Sequence, residues 1–219
     1  MKLGNIMIFG DSYSTYEGYI PEGYAAYYSG KRDSAPDLSS ADKTWWGRLL
    51  SSTDSTLAQN NSWSGSTIGY TGYNGDCSTS SSFIYRFETL LADGFFAKNK
   101  IDTLFVFGGT NDSWCNAPLG ELKYDGIERA ELFSVLPAIS YLAKRLKEEL
   151  PLTRLVFLIN CGLKKEIAEA IKSVAEHYCA ESVELFDITK VSGHPDEVGM
   201  KQICEQIISA LESRADTIN

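Results

Sequence analysis

Short apolar runs alternate along this chain with longer amphipathic stretches, and that alternation predicts most of its elements. Ile6-Met7-Ile8-Phe9 is a compact apolar run and predicts a buried strand over Asn5–Phe9. Lys43–Ser51 carries Trp45, Trp46, Leu49 and Leu50 on one face and reads as a helix. Thr56–Asn61 reads as a weak, polar second strand. Ser81–Ala92, with Phe83, Phe87, Leu90 and Leu91 near helical spacing, predicts a helix. Ile101–Phe107 is rich in β-formers and closed by Gly108-Gly109, so it predicts a third strand. The longest helix is expected over Glu128–Leu150, where Pro137 should kink or split it. Leu155–Asn160 then reads as a strand, Lys164–Tyr178 as a helix and Val183–Ile188 as the last strand. Asp196–Ser213 is the closing amphipathic helix.

Strands alternating with helices argue for a parallel sheet covered on both faces. The expected fold class is therefore α/β, a three-layer α/β/α sandwich with a five-stranded parallel sheet. At 219 residues the chain suits one domain spanning residues 1–219. Two long polar segments, residues 13–42 and 62–82, follow strand ends on the side where such sheets bind ligands.

Composition removes several function classes. The formal net charge of −9 offers no concentrated basic surface, so a nucleic-acid partner is not expected. No apolar run is long enough to span a bilayer, so membrane insertion is not expected. Met1-Lys2-Leu3 leads directly into the first strand, which reads as a cytoplasmic chain without a signal peptide. Cys77, Cys115, Cys161, Cys179 and Cys204 show no paired spacing, so they read as reduced thiols with no metal site. Gly65-Ser66-Thr67-Ile68-Gly69 has glycines but neither a phosphate-loop lysine nor a GxGxxG pattern. A nucleotide or flavin is therefore disfavoured, and no cofactor is expected.

Four short blocks carry the chemistry. They are Gly10-Asp11-Ser12, Asn61–Thr67 (Asn-Ser-Trp-Ser-Gly-Ser-Thr), Gly108–Asp112 (Gly-Gly-Thr-Asn-Asp) and Ser192–Asp196 (Ser-Gly-His-Pro-Asp). Three directly follow predicted strands, and the fourth lies just beyond the last one. In a parallel sheet all four converge on one edge. Acyl transfer needs a nucleophile, a base and donors for an oxyanion. Ser12, His194, backbone N–H groups and the Asn111 amide supply those types. Gly65 suits a backbone N–H that must approach an oxyanion closely, because no side chain intrudes. A neutral imidazole is the natural base for a serine hydroxyl near pH 7. The second histidine, His177, falls in a predicted helix without such context and reads as structural or exposed.

This set of blocks, spanning residue 10 to about 200, resembles the SGNH (GDSL-type) hydrolase superfamily. The resemblance implies a flavodoxin-like sandwich, in agreement with the alternation above. It implies Ser12 as nucleophile and His194 as base, with the Ser12 and Gly65 N–H groups and the Asn111 side chain forming the oxyanion hole.

One departure from the family pattern stands out. The family carries Asp-x-x-His, whereas the residue three before His194 is Val191. Three readings follow. Ser12 and His194 work as a dyad, with a backbone carbonyl near Val191 or Ser192 holding the imidazole. Alternatively another acid reaches in, Asp187 or Glu17. Or turnover is lost, leaving a degenerate carbohydrate-binding protein of the same fold. The dyad is favoured, with a lower rate than a full triad would give.

The loops are dense in aromatics. Tyr13, Tyr16, Tyr19, Tyr24, Tyr27 and Tyr28 lie in the first; Trp63, Tyr70 and Tyr73 in the second; Trp114 follows the third block. Such residues suit sugar faces and hydroxyls, or equally a packed lid. The expected activity is a serine ester hydrolase, acting on a small-acyl (acetyl) oxygen ester of a polar or glycan alcohol.

Overall fold

The computed structural model describes residues 1–33 and 36–218, so residues 34 and 35 of the first loop and Asn219 lie outside the described residues. Strand β1 (Asn5–Gly10) ends in a one-turn 3-10 helix at Ser12–Ser14, and a second such turn at Ala41–Lys43 precedes α1 (Trp45–Thr53). Strand β2 (Thr56–Ser62) follows, then a small hairpin of β3 (Thr71–Gly72) and β4 (Gly75–Asp76), then α2 (Phe83–Ala92) and α3 (Phe95–Lys98). Strand β5 (Thr103–Phe107) leads into α4 (Thr110–Trp114), and a 3-10 turn at Arg129–Phe133 precedes α5 (Val135–Glu149). The chain closes with β6 (Arg154–Ile159), α6 (Lys165–His177), β7 (Glu181–Glu184), a hairpin of β8 (Lys190–Val191) and β9 (His194–Pro195), and α7 (Glu197–Ile218).

Strands β2-β1-β5-β6-β7 form one sheet, and every pair in it is parallel. Counting only these five, the order is 2-1-3-4-5, the flavodoxin-like arrangement, with its topological switch point between β1 and β5. The fold class read from the sequence is therefore the observed one.

The two faces of the sheet are sorted by the period-two alternation of strand side chains. Met7, Phe9, Leu104, Val106, Leu155 and Phe157 enter one core with the inward faces of α2, α5 and α6. Ile6, Ile8, Phe105, Phe107, Val156 and Leu158 enter the other, against Trp45 and Leu49 of α1 and Met200, Ile203 and Ile207 of α7. Strands buried on both faces explain the continuous apolar runs.

Two elements differ from the sequence expectation. The long helix breaks at Ser134, before Pro137, which sits at the third position of α5 where no helical N–H is needed. The last sheet strand ends at Glu184, short of Ile188, because the chain leaves the sheet through an exposed Phe186 and Asp187 with φ of 51°. Among the described residues, no helix is long and apolar enough to cross a membrane. The five cysteines are all free, and no His/Cys/Asp/Glu group could hold a metal among the described residues.

Candidate active site

The four blocks meet at the carboxyl edge of the sheet, at the β1/β5 switch point. Ser12 opens the 3-10 turn after β1 and is buried. Asp11 caps that turn, its Oδ1 accepting from the Tyr13 N–H at 3.0 Å, and the Asp11 N–H donates to the Phe107 carbonyl at the end of β5. The second block is tied to the first by the Trp63 N–H, which donates to the Gly10 carbonyl at 3.1 Å. In the third block, one Asn111 Nδ2 hydrogen reaches the Ser66 carbonyl at 2.8 Å, and both Asp112 oxygens accept from the Ile68 N–H at 3.1 Å.

His194 reaches this edge on the β8–β9 hairpin. Val191 pairs with His194, and the two loop residues Ser192 and Gly193 have φ of 50° and 82°. Two consecutive positive φ values make the tight primed turn that a two-residue hairpin needs, and glycine suits its second position. Tyr13 Oη donates to the Gly193 carbonyl, which pins the hairpin to the serine's own turn. The result is a His194 Nε2 to Ser12 Oγ distance of 3.0 Å.

The other ring nitrogen, Nδ1, faces the Ser192 carbonyl at 3.4 Å. Among the described residues no carboxylate lies within salt-bridge reach of the ring. Asp187 is exposed, and Glu17 pairs with Lys31 at 2.8 Å, so the structure brings neither to the imidazole. Val191, where the resemblance calls for an acid, is a strand residue of the hairpin. Burial, with Arg32 and Lys190 nearby, holds the His194 pKa below its ordinary value against the Ser192 carbonyl. His177, at the end of α6, is exposed and stacks on Tyr124 at 3.9 Å, far in the fold from these blocks.

Three donors are candidates for an oxyanion hole. Asn111 keeps a second amide hydrogen beyond the one given to Ser66. The N–H groups of Ser12 and Gly65 meet no acceptor among the described residues. Gly65 has φ of 82°, a left-handed value that glycine adopts at little steric cost.

Beneath the edge lie three buried ionisable groups that sequence reasoning did not weigh. Arg86 of α2 is fully buried, and each of its five N–H donors has an acceptor. Nε reaches the Ser81 carbonyl, Nη1 the Asn61 carbonyl and Oδ1, and Nη2 the Gly10 carbonyl and Ser66 Oγ. One side chain thus joins the first two blocks. Burial pushes the Asp11 carboxyl up to about 7 and Asp112 up to about 6, and holds Arg86 down to about 10. The sequence signal for Arg86 was a cation inside an apolar helix face, between Phe83, Ile84 and Phe87.

Comparisons with known proteins place the family. The GDSL-like Lipase/Acylhydrolase family matches residues 4–211. The chain belongs to that family. A crystal structure from Bacteroides ovatus, described as a GDSL-like lipase, is 39% identical with a TM-score of 0.89, covering 97% of this chain and 100% of that one. Another so described, from Bacteroides uniformis, is 36% identical with a TM-score of 0.87, covering 96% of each chain. A family two carbohydrate esterase from Clostridium thermocellum, in complex with cellohexaose, shares the fold at 15% identity, with a TM-score of 0.64, covering 99% of this chain and 66% of that one. No curated protein matches. As a GDSL-like family member the chain is of the hydrolase/esterase type.

Proposed function

We propose that this GDSL-like protein is a serine ester hydrolase with a Ser12–His194 dyad, acting on a small-acyl, acetyl-type oxygen ester of a polar or carbohydrate alcohol. The observation that carries the reading is the 3.0 Å approach of His194 Nε2 to Ser12 Oγ at the sheet's carboxyl edge. In the proposed mechanism Ser12 Oγ attacks the acyl carbon while His194 Nε2 takes the hydroxyl proton. The carbonyl oxygen gains charge against the Ser12 and Gly65 N–H groups and the free Asn111 amide hydrogen. Collapse expels the alcohol, which receives the proton from His194. Water then attacks the acyl-enzyme, with His194 again as base, and releases the carboxylic acid. The Ser192 carbonyl can select the Nδ1–H tautomer but adds no full negative charge, so the rate falls below that of a triad.

The rim supports the alcohol part of the substrate. Trp114 and Tyr73 are exposed, and Tyr24 packs on Trp63 with centroids 4.3 Å apart. Flat, partly exposed rings with polar tips suit sugar faces. Shared fold with a carbohydrate esterase is compatible with this choice. Tyr13, Tyr16, Tyr28 and Tyr70, by contrast, are buried and serve as core.

Hydrolysis of p-nitrophenyl acetate and labelling by a fluorophosphonate are expected from the wild type and lost in Ser12→Ala. His194→Ala should lose about 10²–10⁴ in kcat, the usual share of a general base. Faster cleavage of long-chain than acetyl esters would reject the substrate class. Inertness of the wild type in both assays would reject the hydrolase.

A further inference from the structure

The imidazole of His194 is held weakly at its Nδ1 edge, because 3.4 Å to the Ser192 carbonyl is long for a hydrogen bond. Its face is held far more closely. The Tyr27 ring lies parallel to it, with centroids 3.6 Å apart and planes inclined by 6°. The Arg32 guanidinium also packs on the Tyr27 ring, its carbon 4.7 Å from the centroid. The edges are closed by Tyr13 and Trp114, each with its centroid 5.5 Å from that of the imidazole.

Tyr27 is itself fixed to both reacting groups. Its N–H donates to Thr15 Oγ1 at 2.8 Å, and Thr15 Oγ1 donates to the Ser12 carbonyl at 3.0 Å. The next residue, Tyr28, is buried and donates its hydroxyl to the Pro195 carbonyl at 2.7 Å, beside His194. Two adjacent tyrosines therefore bridge the nucleophile's turn and the base's hairpin.

We propose that Tyr27 is a positioning residue whose ring sets the plane of the His194 imidazole, the orienting task an acid performs in a triad. The proposal rests on the dyad reading above. In the first step the Ser12 O–H bond breaks, the Oγ–acyl bond forms, and the proton goes to Nε2. That transfer is efficient only while the imidazole plane keeps Nε2 aimed at Oγ, and rotation about the Cβ–Cγ bond would spoil it. Stacking blocks the rotation without a hydrogen bond. The charged groups facing the ring are Arg32 and Lys190, the latter 5.4 Å from the Tyr13 centroid, and both oppose a second positive charge there. Orientation is therefore the contribution of Tyr27, with charge stabilisation left to solvent and the Ser192 carbonyl.

The test compares Tyr27→Phe, Tyr27→Leu and Tyr27→Ala on p-nitrophenyl acetate, with thermal melts to confirm folding. Phe, which keeps the ring, should retain kcat within about twofold, whereas Leu should lose about ten- to a hundredfold in kcat with little change in KM. In Ala, which uncovers the imidazole, the acid limb of the kcat/KM profile should move up towards an ordinary histidine value. If Ala does not fold, the Leu profile is read instead. NMR of the His194 ring protons, assigned with His177→Gln, should show the ring-current shift of a stacked tyrosine in wild type and Phe and its loss in Leu. Full kcat in Leu with an unchanged pH profile would overturn the proposal. If Ser12→Ala retained wild-type turnover, the hydrolase reading would fall instead, and the His194 signals in Leu would still decide whether Tyr27 sets the ring.

Discussion

At the scale of single residues, the blocks that meet at the sheet's edge were legible and the side chains that hold them together were not. Ser12, Gly65 and Asn111 lie just beyond the ends of β1, β2 and β5, so one sheet edge collects them, and the β8–β9 hairpin brings His194 to the same edge. Arg86 reaches Ser66, Asn61 and Gly10, 20, 25 and 76 residues away in sequence, and Tyr27 stacks on His194 near the other end of the chain. No local spacing encodes such contacts. The missing acid shows the same limit: Val191 was visible, but that the Ser192 carbonyl faces Nδ1 depends on a turn read only from backbone angles. Asn111 gives the cleanest residue-scale test of the oxyanion hole. Asn111→Ala removes the free amide hydrogen and should lower kcat about 10²–10³-fold, with KM within a few-fold, in steady-state kinetics on an acetyl ester. An unchanged kcat in Asn111→Ala would remove the free amide hydrogen from the oxyanion hole.

Elements were predicted where periodicity is strong and misjudged where capping decides. The helix expected from Lys43 starts at Trp45 because Thr44 ends the preceding 3-10 turn and caps the next one. Its Oγ1 donates to the Ala41 carbonyl at 2.6 Å and accepts from the Gly47 N–H at 3.0 Å. The split in Glu128–Leu150 falls at Ser134 because the Glu128–Glu131 capping box closes a separate 3-10 turn first. The β3–β4 and β8–β9 hairpins, two residues per strand, are too short to leave any alternation in the sequence. Thr44 is buried between the two elements it joins, so its loss should be felt in stability alone. Thr44→Ala should lower the unfolding free energy by about 1–2 kcal/mol in a urea titration, the usual cost of a lost cap, while kcat stays near wild type. A fall in kcat with unchanged stability would place Thr44 in the site's support.

Over the whole molecule, two cores on one doubly covered sheet leave its carboxyl edge as the place where polar groups are buried together. Asp11, Asp112 and Arg86 sit there, below the serine's turn, and Asp11 Oδ2 has no hydrogen-bond partner among the described residues. Burial raises the Asp11 pKa to about 7, with the Asp112 charge adding and the Tyr13 N–H and Arg86 opposing; burial raises Asp112 to about 6. Both folded values lie above the ordinary carboxylate value of 3.8. Folding therefore favours the protonated acids. Their stabilising share is complete below about pH 4 and is lost as pH rises through 6 and 7. Arg86, held near 10, stays protonated across that window and contributes no slope. Asp11→Asn removes one titration and keeps a carbonyl oxygen for the Tyr13 N–H. Subtracting wild type from variant cancels the groups that do not couple to Asp11, and losing the Asp11 charge eases ionisation of Asp112, which works in the same direction. The difference in Tm should therefore be more favourable to Asp11→Asn at pH 8 than at pH 4.5, by scanning calorimetry at matched ionic strength. A difference that does not change with pH would mean that Asp11 is ionised in the fold at both values, with Arg86 carrying the buried charge as its counter-ion.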